Sequence, residues 1–209
     1  MSPDIDTQEL LDAIDGVTYL VDASGIIRAI GSISWKRFAT QNDASELTAD
    51  SVIGTSVFAG IDGTDVREAC ERLHDSVCQR QRPVIAYEYR CDAPDVERRM
   101  RMSISPVAGR GNVVMALYQS QLVAEAPRLP LGLMSMKDRA VPTEADSSDE
   151  PVVLCSFCHD IAWPIGARQE HQIWIAIEDY YRRGGLSEVI VSHGICPRCI
   201  ERIVRPNEG

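Results

Sequence analysis

Four of the seven cysteines in this 209-residue chain fall in two tight pairs, Cys155-Ser156-Phe157-Cys158 and Cys196-Pro197-Arg198-Cys199. A thiolate is both a nucleophile and a soft metal ligand, and two residues between cysteines let a knuckle aim both sulfurs at one point. Two such pairs supply four ligands, the number that a closed tetrahedral zinc site takes. Cys155, Cys158, Cys196 and Cys199 are therefore the candidate metal ligands, with zinc as the expected cofactor. The second pair carries more detail. Gly194 precedes it, and Pro197 suits the first turn of a helix that Ile200-Glu201-Arg202-Ile203-Val204 would continue. Thiolates in that turn gain from the partial positive charge at a helix N-terminus.

The gap between the pairs is longer than the tightest zinc-finger spacing, so a folded insert must close the site. Trp163, Ile165, Trp174, Ile175, Ile177, Tyr180 and Tyr181 give that insert a core. A short hairpin, a helix over 175–183 and a strand over 188–191 are expected there. A knuckle, a hairpin and a last pair opening a helix is the layout of treble-clef zinc modules. The core is marginal at this size, so metal binding would supply much of the folding free energy.

The same residues admit other chemistry. A C-x-x-C pair also cycles between dithiol and disulfide, but no thioredoxin-type strand-helix pattern surrounds either pair. Oxidation that releases zinc is the alternative worth carrying. Cys155 to His159 also spells C-x-x-C-H, the attachment string of c-type haem. That attachment belongs to exported proteins, and it leaves Cys196 and Cys199 without a role. His159 and His193 read as neighbours of the site rather than ligands. Four unrelated buried cysteines is the plainest reading, and two pairs in one short segment argue against it. No nucleophile-base-acid set, phosphate loop or open metal site points to an enzyme.

The formal net charge of -10 argues against nonspecific nucleic-acid binding and against an anionic membrane surface. Arg182, Arg183, Arg198, Arg202 and Arg205 are the only support for a nucleic-acid-binding zinc ribbon, and nearby acids dilute them. The N-terminus is acidic with no apolar run behind it, and no segment reads as a membrane span. A cytoplasmic setting is expected. Its reducing conditions favour metal ligation over disulfides.

Three parts must position these residues. In the first, 7–123, Asp6 and Glu9 have capping-box spacing before a helix with Leu10, Leu11, Ala13 and Ile14 as its stripe. A hairpin follows, turning at Asp22-Ala23-Ser24-Gly25. After short helical pieces, a longer helix from Asp65 recurs in Val66, Ala69, Cys70, Leu73 and Val77. His74 falls off that stripe and reads as exposed. Three strands close the part: one through Ile85, Tyr87, Tyr89 and Cys91, one through Met100, Met102 and Ile104, and one over 112–121 after the turn at Gly109-Arg110-Gly111. The second part, 124–150, reads as a flexible linker with Pro127, Pro130 and Pro142 and an acidic end. Its more apolar piece, 129–136, is a candidate to dock on the first part. The third part, 151–204, is the zinc-binding module.

The order strand, strand, small helices, long helix, three strands resembles the PAS fold. Val21-Asp22-Ala23-Ser24-Gly25-Ile26-Ile27, the segment Val52 to Phe58 and Ile104-Ser105-Pro106-Val107 carry that likeness. The chain also resembles small bacterial signalling proteins of PAS-like type. The carrying residues are Ser34-Trp35-Lys36-Arg37-Phe38-Ala39, Tyr89-Arg90-Cys91-Asp92-Ala93-Pro94 and the terminal His193-Gly194-Ile195-Cys196-Pro197-Arg198-Cys199. The resemblance implies an α+β protein: a PAS-like antiparallel sheet with flanking helices, plus a small treble-clef or ribbon-like zinc module. It implies signal sensing or adaptor work without catalysis. It also implies a cavity for a small-molecule ligand, with Trp35, Phe38, Phe58, Leu73, Tyr87, Tyr89, Cys91, Met102 and Met115 as candidate lining. An unknown protein partner and a homodimer through the N-terminal helix are expected on the same ground.

Overall fold

A computed structural model describes residues 6–42, 44–93, 95–109, 114–129, 131–134, 150–168, 171–187 and 189–204. The expected turn at 110–111, most of the segment 130–149 and Arg205 lie outside the described residues. The chain divides into two compact units. One comprises Met1–Ile61, Glu68–Glu88 and Met100–Val123, the other Asp62–Arg67, Tyr89–Arg99 and Ala124–Gly209. Among the described residues, no helix is long and apolar enough to cross a membrane.

The first unit opens with α1, Thr7–Ala13, capped by the Asp6 carboxylate, which accepts from the backbone N–H of Gln8 and Glu9. Of its apolar stripe only Leu11 is fully buried, and Leu10 is half exposed. Strands β1, Val17–Asp22, and β2, Ile27–Ile30, form the expected hairpin, with Tyr19 opposite Ile30. Helices α2, Ser32–Gln41, and α3, Ala49–Val52, lead to the long α4, Thr64–Cys78. Strands β3, Ile85–Arg90, β4, Val96–Ala108, and β5, Val114–Pro127, complete a five-stranded antiparallel sheet. Its order is β2-β1-β5-β4-β3, so the first strand pairs with the last. This is the PAS-like α+β architecture that the element order implies. Alternation decides which residues fill the core: Ala116 and Tyr118 on β5, Met100 and Ile104 on β4 and Ile85 on β3 are buried, as are Ala69, Leu73 and Val77 on α4. Met115 falls on the other parity of β5 from Ala116 and Tyr118, which removes it from that inner face.

His74 corrects the sequence reading: it is 1% exposed. Its Nε2 lies 2.9 Å from the Asp22 carbonyl oxygen, and its Nδ1 lies 3.0 Å from the Tyr118 hydroxyl. A carbonyl only accepts, so Nε2 carries the proton and Nδ1 accepts from Tyr118. Both ring nitrogens are satisfied, which removes the usual penalty on burying an imidazole. The Phe58 ring meets the His74 ring edge-on at 5.5 Å.

In the second unit, β6, Val152–Cys155, β7, Ile161–Trp163, β8, Ile173–Ile175, and β9, Val191–Gly194, form a sheet in the order β8-β7-β6-β9. Helix α5, Ile177–Arg182, lies between β8 and β9 in the chain. The described chain ends in α6, Pro197–Cys199, which passes into a π-helical turn over Ile200–Val204. The core is Val152, Leu154, Ile161, Ile175, Ile177 and Tyr180, with Trp163, Ile165 and Tyr181 packed against it. Leu133 also enters this core, and its N–H donates to the Tyr181 hydroxyl at 3.1 Å. Part of the segment read as linker is therefore built into the core of the second unit. The segment's first residues, through Pro127, continue β5.

Candidate metal centre

The four cysteines converge. Their Sγ atoms all lie within 4.8 Å of one another, and Cys158 and Cys196 approach to 3.7 Å. Zinc–sulfur bonds in a tetrahedron would set the sulfurs about 3.8 Å apart, so a small shift closes the set on a metal. Three of the four cysteines are buried, and Cys158 is part-buried.

Strand register brings the pairs together. β6 and β9 run parallel, with Leu154 opposite His193 and Cys155 opposite Gly194. Both strands leave the ladder at the same end, which sets the two C-x-x-C turns side by side. The first pair occupies the turn between β6 and β7. There the Ser156 N–H donates to the Gly194 carbonyl at 3.0 Å, and the Cys155 N–H donates to the Asp160 carbonyl at 2.8 Å. The second pair opens α6: Cys196 is its N-cap and Pro197 fills the first position. Backbone N–H groups point at sulfur, Cys196 toward Cys155 and Cys199 toward Cys196, each at 3.4 Å.

The sulfurs share their protons unequally. Hydrogen bonds from Cys158, Cys196 and Cys199 hold the Cys155 thiol far below its ordinary range. Cys158 feels an opposing bond to Cys155, yet bonds from Cys196 and Cys199 outweigh it and bring the thiol to about 6. Cys196 and Cys199 are pushed up, chiefly by hydrogen bonds to Cys155 and Cys158. Four thiols this close cannot all ionise unaided, and a divalent cation between them would supply the compensating charge. Burial and the neighbouring Cys158 sulfur push the Asp160 carboxyl up to about 6, against the Arg198 guanidinium 2.7 Å away.

Neither histidine joins the sulfurs. His193 sits on β9 with Nδ1 3.6 Å from the Asp62 carboxylate. His159 follows Cys158 at φ 60°, and its N–H donates to the Cys155 carbonyl at 2.9 Å. Its ring Nδ1 lies 3.1 Å from an Asp92 carboxylate oxygen, which fixes the proton on Nδ1.

Asp92 is the residue that sequence reasoning passed over. Its side chain is fully buried, and it accepts from Arg90 at 2.6 Å, Arg128 at 3.0 Å, His159 and the Arg98 backbone N–H at 2.9 Å. Burial alone would raise its pKa, but the His159 and Arg90 bonds win and hold the carboxyl far below the usual carboxylate range. Arg90 also donates its backbone N–H to the Phe157 carbonyl, inside the first cysteine pair, at 2.8 Å. The sequence signal lay in the string Tyr89 to Pro94, which carries a family likeness but no obvious chemistry.

The candidate ligand-lining residues fall in both units. Trp35, Phe38, Phe58, Tyr87 and Met102 are in the first, and all are half-buried; Tyr89 and Cys91 belong to the second. The Trp35 indole donates to the Leu47 carbonyl at 2.7 Å. Burial pushes the Cys91 thiol up.

No family model matches the chain, and no curated protein does. Among solved structures, the chain is similar to the PAS domain of BvgS from Bordetella pertussis. Identity is 12%, over 56% of this chain and 83% of that one, with a TM-score of 0.44. It is also similar to the photoactive yellow protein domain of the sensor histidine kinase Ppr from Rhodospirillum centenum. There identity is 23%, over 55% and 99% of the chains, with a TM-score of 0.35. A ligand–DNA complex of Vibrio cholerae VqmA matches at 12% identity over 58% of this chain and 53% of that one, with a TM-score of 0.40.

Proposed function

We propose that this chain is a non-catalytic bacterial sensing and adaptor protein, in which a PAS-like unit takes a ligand or partner and a structural four-cysteine zinc module recruits a second protein. The observation that carries the reading is the convergence of Cys155, Cys158, Cys196 and Cys199 in a closed set. Four soft thiolates suit zinc among the common divalent metals, and four protein ligands leave no open position for a substrate. A zinc ion there would supply charge compensation and a crosslink between the β6–β7 turn and α6, not chemistry. The module's basic side chains weigh against nucleic acid: Arg182 is paired with Asp179, and Arg198 with Asp160.

Metal analysis of protein purified without added metal tests this. One zinc per chain is expected, lost when Cys155 and Cys158 both become Ser. A covalently held haem, or no metal, would sink the reading.

One observation favours a thiol-redox switch as second reading: Cys158 is the one residue of the set that is not fully buried, and oxidation follows exposure. Zinc released by mild peroxide and regained with thiol plus zinc would support it. Zinc retained under peroxide would leave the site structural.

A further inference from the structure

The C-x-x-C turn places His159 at φ 60°, a conformation that glycine adopts freely and that most side chains avoid. A histidine kept there needs a reason, and its ring supplies one. Nδ1 is anchored on Asp92, whose buried carboxylate also gathers Arg90, Arg128 and the Arg98 backbone N–H. Arg128 also ties down the β3–β4 connection, donating to the Ala93 carbonyl at 3.2 Å, while its backbone N–H donates to the Asp95 carbonyl at 2.9 Å. All these residues lie within the second unit. The tip of the β3–β4 hairpin, Tyr89–Arg99, is thus fastened to the first cysteine turn at two points: Arg90 to the Phe157 carbonyl, and Asp92 to His159.

We infer that Asp92 is a positioning residue for the metal centre, and that through the Asp92–His159 bond the metal state of the cysteines sets the order of the β3–β4 hairpin tip. This rests on the metal reading above. Groups that orient a metal-bearing turn from outside shape its affinity through geometry. The turn between Cys155 and Cys158 keeps its shape when a metal fixes both sulfurs. Only then does His159 present Nδ1 to Asp92. Without metal the turn loosens, His159 leaves, and Asp92 keeps only its own strands' partners and Arg128. The strands that carry this tip continue as β3 and β4 of the five-stranded sheet.

The test uses the full chain with two substitutions that both accept φ 60°. His159→Gly removes the anchor, and His159→Asn restores a donor of nearly the same reach. Zinc per chain, zinc release to a chromophoric chelator, and hydrogen exchange over 89–99 with and without zinc are measured in each. In wild type, removing zinc speeds exchange at 89–99. In His159→Gly one zinc still binds but leaves about ten- to a hundred-fold faster. Exchange at 89–99 responds to zinc clearly less than in wild type, the remainder passing through the Arg90 N–H to the Phe157 carbonyl, and His159→Asn recovers both properties. Wild-type exchange that ignores zinc, or a response of equal size in His159→Gly, overturns the inference while leaving the metal site intact. A wild type without zinc overturns the metal reading and this inference with it.

Discussion

His74 is held neutral by what surrounds it. Burial lowers its pKa below 6.5, and this outweighs the hydrogen bond to the Asp22 carbonyl and the charges of Asp75 and Asp22, which raise it. The unfolded chain takes up a proton near pH 6.5 that the folded chain refuses, so stability is full above that pH and falls as pH drops below it. His74→Gln should be less stable than wild type by about 1–2 kcal/mol at pH 8, from the loss of two buried hydrogen bonds. The difference should shrink by about pH 5.5. Urea titrations at both pH values check it, and a pH-independent difference would contradict the neutral assignment. Asp92 carries larger stakes. Asp92→Asn leaves Arg90 and Arg128 facing a neutral amide inside the fold, and should cost about 3–5 kcal/mol in thermal or urea unfolding of the second unit. Neither residue's role was legible in the sequence. His74 reads as lying off the apolar stripe of its helix and hence as exposed, yet it is buried. Its partners, Asp22 and Tyr118, are 52 and 44 residues away in the chain, so the bonds that permit burial exist only in the fold. The four cysteines were legible because their spacing is itself the chemistry.

Elements with a local signature were readable. Asp6 caps α1 as its spacing predicts, Gly25 turns the first hairpin, and Pro197 opens α6. Gly25 also shows why a turn can matter beyond itself. It sits at φ 79°, and a Cβ there would run into the Phe58 ring, whose edge packs on His74. Gly25→Ala should destabilise the first unit by more than about 1 kcal/mol in thermal melts, from backbone strain and the displaced ring together. Elements fixed by distant pairing were harder to place. The β-branched run Val189-Ile190-Val191 drew the last strand of the second sheet to 188–191, whereas β9 runs Val191–Gly194. Its register answers to β6, whose end at Cys155 must meet Gly194. Leu133 lies in the more apolar piece of the segment that reads as linker, 129–136, but a single buried leucine leaves no periodicity to say where it packs. It is 7% exposed in the second unit's core. Leu133→Ala should cost that unit about 2–3 kcal/mol through the cavity it leaves. Unchanged melting would mean that the segment only rests on the surface.

At the scale of the whole molecule, two units with different sources of stability should come apart separately. The first has an ordinary apolar core contributed by α4 and the five-stranded sheet. The second has a short four-stranded sheet, and four of its buried or part-buried side chains are the clustered cysteines, so a metal held there would add a crosslink to its core. The tryptophans report on each by position: Trp35 lies in the first unit, Trp163 and Trp174 in the second. Trp163 packs edge-on to Tyr180 at 6.1 Å, so loss of the second core must alter its emission. Removing metal with a chelator at neutral pH should red-shift Trp163 and Trp174 fluorescence in protein carrying Trp35→Phe. Protein that retains only Trp35 should keep its spectrum, and far-UV circular dichroism should keep the first unit's signal. Restoring zinc should reverse the shift. If chelation moved all three tryptophans together, the metal would be holding one cooperative body, and the five-stranded sheet could not remain folded without it. Fluorescence unchanged in all three would mean that the second unit's apolar core suffices, and that the four cysteines serve a purpose other than holding it.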